Sequence, residues 1–124
     1  MNNEFLPYEQ ALALKELGFN EPCLTWWYKD EFVKPYWERE LGYTYESGIS
    51  KDCVLAPLYQ QAFRWFRKEH NLQFELTYRD DNWVCYIGEF TILDFIPDIS
   101  LDLEVKEYED AELACLRKLI EITK

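Results

Sequence analysis

Histidine, glycine and basic residues are all scarce in this chain of 124 residues. One histidine and four glycines occur, and no C-x-x-C pair links any two of the four cysteines. With one imidazole and no clustered thiols, a compact transition-metal knuckle is excluded. With glycine only at 18, 42, 48 and 88, there is no G-x-G-x-x-G phosphate cradle, no Walker pattern and no G-x-S-x-G elbow. No apolar run approaches the roughly 18 residues of a membrane span. The opening MNNEFLPYEQ has neither a basic n-region nor an apolar h-region, so it does not read as a secretion signal. Bases are scarcest between Asp80 and Glu112, where Lys106 alone faces eleven carboxylates. The other 91 residues hold thirteen acids and twelve bases, so nearly all of the net charge of −11 belongs to that third. Such a field attracts cationic partners and repels nucleic acid and anionic membrane.

What is present is a core-forming composition. The chain is 48% hydrophobic, which supports a packed interior rather than disorder. One globular domain spanning 1–124 is expected. Aromatic residues make up 18%, more than a core of this size absorbs, so some Trp and Tyr are expected at the surface, where such rings anchor contacts. Cys23, Cys53, Cys85 and Cys115 read as reduced thiols of a cytoplasmic protein, most of them packed as small hydrophobes.

Three helices are expected. The first runs from about Pro7 to Leu17, with Ala11, Leu12, Leu14 and Leu17 as its stripe and Gly18 as its stop. The second runs from Ala56 to Glu69, with Pro57 in its first turn. The third runs from Tyr108 to Ile122, with Leu113, Leu116 and Ile120 on one line. Cys23–Tyr28 and Phe32–Trp37 read as strands, the second limited to an edge by Pro35, and Glu38–Asp52 as a loop. Phe74, Leu76 and Tyr78 alternate with polar residues, Arg79–Asn82 is a turn, and Trp83–Ile87 returns. Phe90–Ile96 is a further apolar run. Ile99, Leu101, Leu103 and Val105 alternate with Ser100, Asp102 and Glu104. The order α-β-β-α-β-β-(β)-α predicts an α+β fold, with three helices on a mainly antiparallel sheet of four to five strands.

Few residues suggest chemistry. His70 ends the second helix, where it reads as a solvated capping residue. Asp94 and Asp98, in an apolar stretch, are the best placed for an acid pair, but both also suit a turn beside Pro97. No catalytic residue, metal ligand or cofactor is assigned. The acidic stretch reads either as a solvated face or as a docking surface for a basic protein. Along a strand, Asp102 and Glu104 would stand about 6.6 Å apart on one side, extended by Asp98 and Glu107. The other candidate is a small-molecule site for a nucleotide-like ligand, built from Arg64, Arg67 and Lys68 on one helix face with Trp27. A homo-oligomer is also compatible with the sequence.

Three stretches carry a resemblance: LPYEQALALKELGFNEPC (6–23), APLYQQAFRWFRKEHNL (56–72) and YEDAELACLRKLIEI (108–122). Together they resemble small proteins encoded by bacteriophages and mobile elements of gut bacteria, a group with no assigned activity. The likeness covers the helical segments, about 50 residues. It implies a cytoplasmic protein of a phage-infected or element-bearing bacterium, and no residue roles come with it. From the acid of Asp80–Glu112, the expected function is that of a non-enzymatic accessory protein that binds a basic surface of a host or phage protein.

Overall fold

A computed structural model describes residues 4–33, 53–90 and 95–124. Among the described residues, three helices and six strands follow one another as α1 (Tyr8–Glu16), β1 (Trp26–Tyr28), β2 (Glu31–Phe32), β3 (Cys53–Leu55), α2 (Tyr59–His70), β4 (Leu72–Arg79), β5 (Asn82–Phe90), β6 (Phe95–Asp102) and α3 (Tyr108–Thr123). The fold is α+β. Among the described residues the strands form two antiparallel sheets of three, ordered β2-β1-β3 and β4-β5-β6, in place of the single sheet of four to five expected. The chain forms two compact units, Met1–Gln61 and Ala62–Lys124.

In the first unit, α1 stops at a Schellman turn. Phe19 N–H donates to the Leu14 carbonyl at 2.9 Å and Gly18 N–H to the Lys15 carbonyl at 3.1 Å. Gly18 stands at φ +103°, a conformation that costs a side-chain-bearing residue about 1–2 kcal/mol. A Cβ there would meet nothing within 4 Å, so the cost is backbone strain alone. Gly18→Ala is therefore expected to lower stability by about 1 kcal/mol in urea denaturation. Leu14 and Phe19, the residues the turn brings together, are both buried. Gln10 takes a buried place that the apolar pattern assigned to Leu12, which is half-buried.

Lys29 and Asp30, both at positive φ, turn β1 back into β2. Trp26 is buried, and Thr25 is fully enclosed, with its hydroxyl donating to the Val33 carbonyl. β3 was not foreseen: its three residues are too few for a periodic signal. Its strand character comes from pairing, Val54 opposite Trp27 and Leu55 opposite Trp26. The parts of the expected Phe32–Trp37 strand and Glu38–Asp52 loop within 34–52 lie outside the described residues.

α2 begins at Tyr59, three residues later than expected, because the preceding segment is extended. Leu6 N–H donates to the Pro57 carbonyl at 2.9 Å, and Phe5 bridges Leu58. Asn71, at φ +52°, ends the helix, a left-handed position that Asn tolerates.

In the second unit, β4 and β5 form a long hairpin closed by Asp80 and Asp81, both left-handed. Its register sets Phe74 opposite Ile87, Leu76 opposite Cys85 and Tyr78 opposite Trp83. Ile99 and Leu101 of β6 pair with Ile87 and Cys85, so the apolar positions of three strands share one face. α3 lies against β5 and β4. It buries Ala111, Cys115, Leu116, Leu119 and Ile120, while Leu113 is half-buried and Ile122 exposed. The expected line through Leu113 thus lies at the margin of the buried stripe.

Of the expected Phe90–Ile96 run, 91–94 lie outside the described residues, Phe90 ends β5, and Phe95 and Ile96 open β6, which continues into the alternating stretch. β6 runs from Phe95 to Asp102 with a bulge, since Ile99 pairs with Ile87 but Pro97 with Gly88, leaving Asp98 as the extra residue. The strand ends at Asp102, short of the expected Val105, because Glu104 turns into the left-handed region at φ +55°.

Candidate protein-binding site

The expected row of carboxylates along one strand face does not form. Asp98 is the bulged residue, Asp102 closes β6, Glu104 is in a turn and Glu107 stands just before α3 with no capping bond from its side chain. A different arrangement replaces the row, with Trp83 at its centre.

Trp83 N–H donates to the Val105 carbonyl at 3.1 Å, and Leu103 N–H donates to the Trp83 carbonyl at 3.0 Å. A straight antiparallel pair would direct both bonds to one residue. Here the chain loops out between them. The Asp102 carboxylate accepts from Glu104 N–H at 3.0 Å and holds that loop. The Trp83 indole N–H then donates to the Lys106 carbonyl at 3.2 Å. The whole segment from Leu103 to Lys106 is thereby strapped to one tryptophan, and the acids Asp102, Glu104 and Glu107 come with it.

Tyr78 and Tyr108 flank the same indole. The Tyr78 ring lies 5.4 Å from Trp83 at 64°, and the Tyr108 ring 5.3 Å at 72°, both edge-to-face. Tyr78 is 52% exposed and Tyr108 45%. The aromatic face of the sheet therefore continues out of the core into solvent. Asp80 and Asp81 close the hairpin that carries Tyr78 and Trp83, and Glu109, Asp110 and Glu112 share the first turns of α3 with Tyr108. Asp80, Asp81, Asp102, Glu104, Glu107, Glu109 and Asp110 are all exposed, and none pairs with a cation among the described residues.

Two groups register the accumulated negative charge. Partial burial raises the Glu112 carboxyl above the ordinary carboxylate range, and the charge of Glu109 adds to it, while a hydrogen bond from Tyr108 works the other way. The Tyr108 hydroxyl is raised as well, by burial first and then by Glu112, Cys115 and Glu109. A cation brought to this end of the unit would relieve both.

Sequence reading missed the trio because its members come from positions 78, 83 and 108. One signal was available: a two-residue turn at Asp80–Asp81 requires Tyr78 and Trp83 to face each other. Nothing in the sequence placed Tyr108 beside them.

The residues of the small-molecule candidate belong to different units. Arg64, Arg67 and Lys68 are exposed on α2 in the second unit. Trp27 belongs to the first, where it has structural partners. Its indole N–H donates to the Leu6 carbonyl at 3.0 Å, and its ring packs edge-on against Phe32 at 5.1 Å and Tyr8 at 6.0 Å. His70 is exposed at the end of α2, with its ring 5.0 Å from Trp65. Asp94 lies outside the described residues. Among the described residues, no three His, Cys, Asp or Glu side chains group to hold a metal ion, and no helix is long and apolar enough to cross a membrane.

No family model matches this chain, and no curated protein or solved structure matches it significantly. The functional reading therefore rests on the geometry of the Trp83 region.

The four thiols are all free, and two are distinguished by their surroundings. Cys23 is buried, donates to the Glu21 carbonyl at 3.3 Å, and is pushed up to about 12 by burial, with the Glu21 charge adding. Cys53 is half-exposed. At pH 8 iodoacetamide should label Cys53 well before Cys23, as read by peptide mass mapping, because the thiolate is the reactive form. The raised thiol also sets a stability trend. From about pH 9 the unfolded chain ionises Cys23 and the folded one does not, so stability should fall between about pH 9 and about 12.

Proposed function

We propose that the protein is a non-enzymatic accessory protein that binds a lysine- or arginine-rich surface of a host or phage protein. The observation that carries this reading is half-buried Trp83 flanked by the exposed rings of Tyr78 and Tyr108, set among carboxylates that pair with no cation among the described residues. Aromatic anchors supply affinity once water is excluded, and the surrounding charge steers the encounter. Arginine and lysine suit such a surface doubly, because their cations lie over aromatic faces and pair with carboxylates at the rim. The resemblance of the helical segments to phage and mobile-element proteins supports a bacterial cytoplasmic setting.

The test is affinity capture from a bacterial lysate with the wild-type chain, E104K/E107K and Y78A/Y108A in parallel. The reading expects a partner that is retained by the wild type, eluted by salt and lost from both variants. A partner held equally by all three would bind elsewhere and overturn this assignment.

A further inference from the structure

The interior of the second unit holds a pair of sulfurs that the binding surface does not use. Cys85 on β5 and Cys115 on α3 are 0% exposed, and their Sγ atoms stand 3.0 Å apart. A bonded pair of sulfurs lies about 2.05 Å apart, so about one ångström of approach separates the thiols from a disulfide. They are 30 residues apart in sequence, and the fold alone brings them together.

We propose that Cys85 and Cys115 are a redox dithiol that closes into an intramolecular disulfide when hydrogen peroxide supplies the oxidising equivalents. Cys85 is the attacking sulfur. The sulfur–sulfur hydrogen bond it shares with Cys115 lowers the pKa of Cys85 and so favours its thiolate, against the effect of burial. Cys115 keeps its proton: its hydrogen bond to Cys85, burial, and the charges of Cys85 and Glu112 all raise it. The Cys85 thiolate attacks one peroxide oxygen and the O–O bond breaks. The hydroxide released takes up the proton that Cys85 gave up on ionising and leaves as water, and Cys85 becomes a sulfenic acid. Cys115 then attacks the Cys85 sulfur. The S–O bond breaks, and the hydroxyl leaves with the Cys115 proton as a second water. Two thiols and one peroxide give one disulfide and two waters. A dithiol reductant reverses the change by exchange.

The bond would join the two elements that carry Trp83 and Tyr108. Trp83 is two residues before Cys85 and on the same face of β5, and Tyr108 opens the helix that holds Cys115. Burial also sets the oxidant. A small neutral peroxide is the kind of reagent that reaches such a site during local opening, whereas bulky thiol reagents are excluded.

The deciding experiment is non-reducing peptide mapping of the native full chain after peroxide treatment, with N-ethylmaleimide added under denaturing conditions. The expected product is a linked Cys85–Cys115 peptide pair, two hydrogens lighter, in a monomeric chain. Dithiothreitol should restore both thiols. Cys53→Ser should leave the linkage unchanged. In Cys115→Ala the reaction should stop at a Cys85 sulfenic acid that dimedone traps. If that variant does not fold, the wild-type map still decides. The proposal is overturned if Cys85 and Cys115 remain fully alkylatable after peroxide has consumed Cys53. Recovery of either one linked to Cys23 or Cys53 overturns it equally.

Discussion

E104K/E107K should associate with the captured partner at least tenfold more slowly than the wild type, with a smaller change in dissociation rate. The double reversal shifts local charge by four units where eleven carboxylates face one base. Long-range steering responds to that total, and electrostatically assisted encounters exceed unassisted ones by about 10- to 1,000-fold. Both side chains are exposed, and neither is paired among the described residues, so the substitution breaks no internal contact. Asp102 is a poorer choice for reversal, because its carboxylate holds the Glu104 turn and with it the strap over Trp83. Raising salt from about 0.1 M to 1 M shortens the Debye length from about 10 Å to about 3 Å. Wild-type association should therefore slow towards the variant's rate. Stopped-flow or biolayer measurements at several salt concentrations, with circular dichroism to confirm folding, read both effects. An association rate unchanged by the reversal and by salt would refute electrostatic docking at this surface.

Leu116→Ala should cost the second unit about 3 kcal/mol, and Leu113→Ala less than about 1 kcal/mol. The two leucines are one turn apart and look equivalent in the sequence. Leu116 is 0% exposed within the stripe that faces β5 and β4, so truncation leaves a cavity that packed neighbours fill only in part. Leu113 lies about 200° round the helix from buried Ala111 and is half-buried. Its loss exposes little that was dry. Urea denaturation followed by far-UV circular dichroism compares the two directly. Equal losses would mean that α3 buries a different face from the one described.

These outcomes show where local pattern sufficed. α1 and α3 lie close to where the periodicity set them, because a helix satisfies its own backbone and its apolar stripe records which side is covered. Gly18 stops α1 because few other residues tolerate its conformation. The Asp80–Asp81 hairpin was readable for a similar reason: turn and alternation act within a dozen residues. β3 and the late start of α2 were not readable, since both arise from pairing with distant chain, Cys53–Leu55 with β1 and Leu58 with Phe5. The division of strands into two sheets has the same origin.

By itself, the sequence determined the α+β class, the three helices, the main hairpin and the concentration of acid between Asp80 and Glu112. Tertiary structure decided what that acid surrounds. Alternation set Asp102 and Glu104 on one side of a strand, with Asp98 and Glu107 extending the row, but a bulge at Asp98 and a left-handed residue at Glu104 break it. Only folding brings Tyr78, Trp83 and Tyr108 into ring contact and sets Cys85 against Cys115. Local propensity reports on neighbours in the chain, whereas these contacts depend on how α3 settles on β5, which packing of the whole apolar face determines.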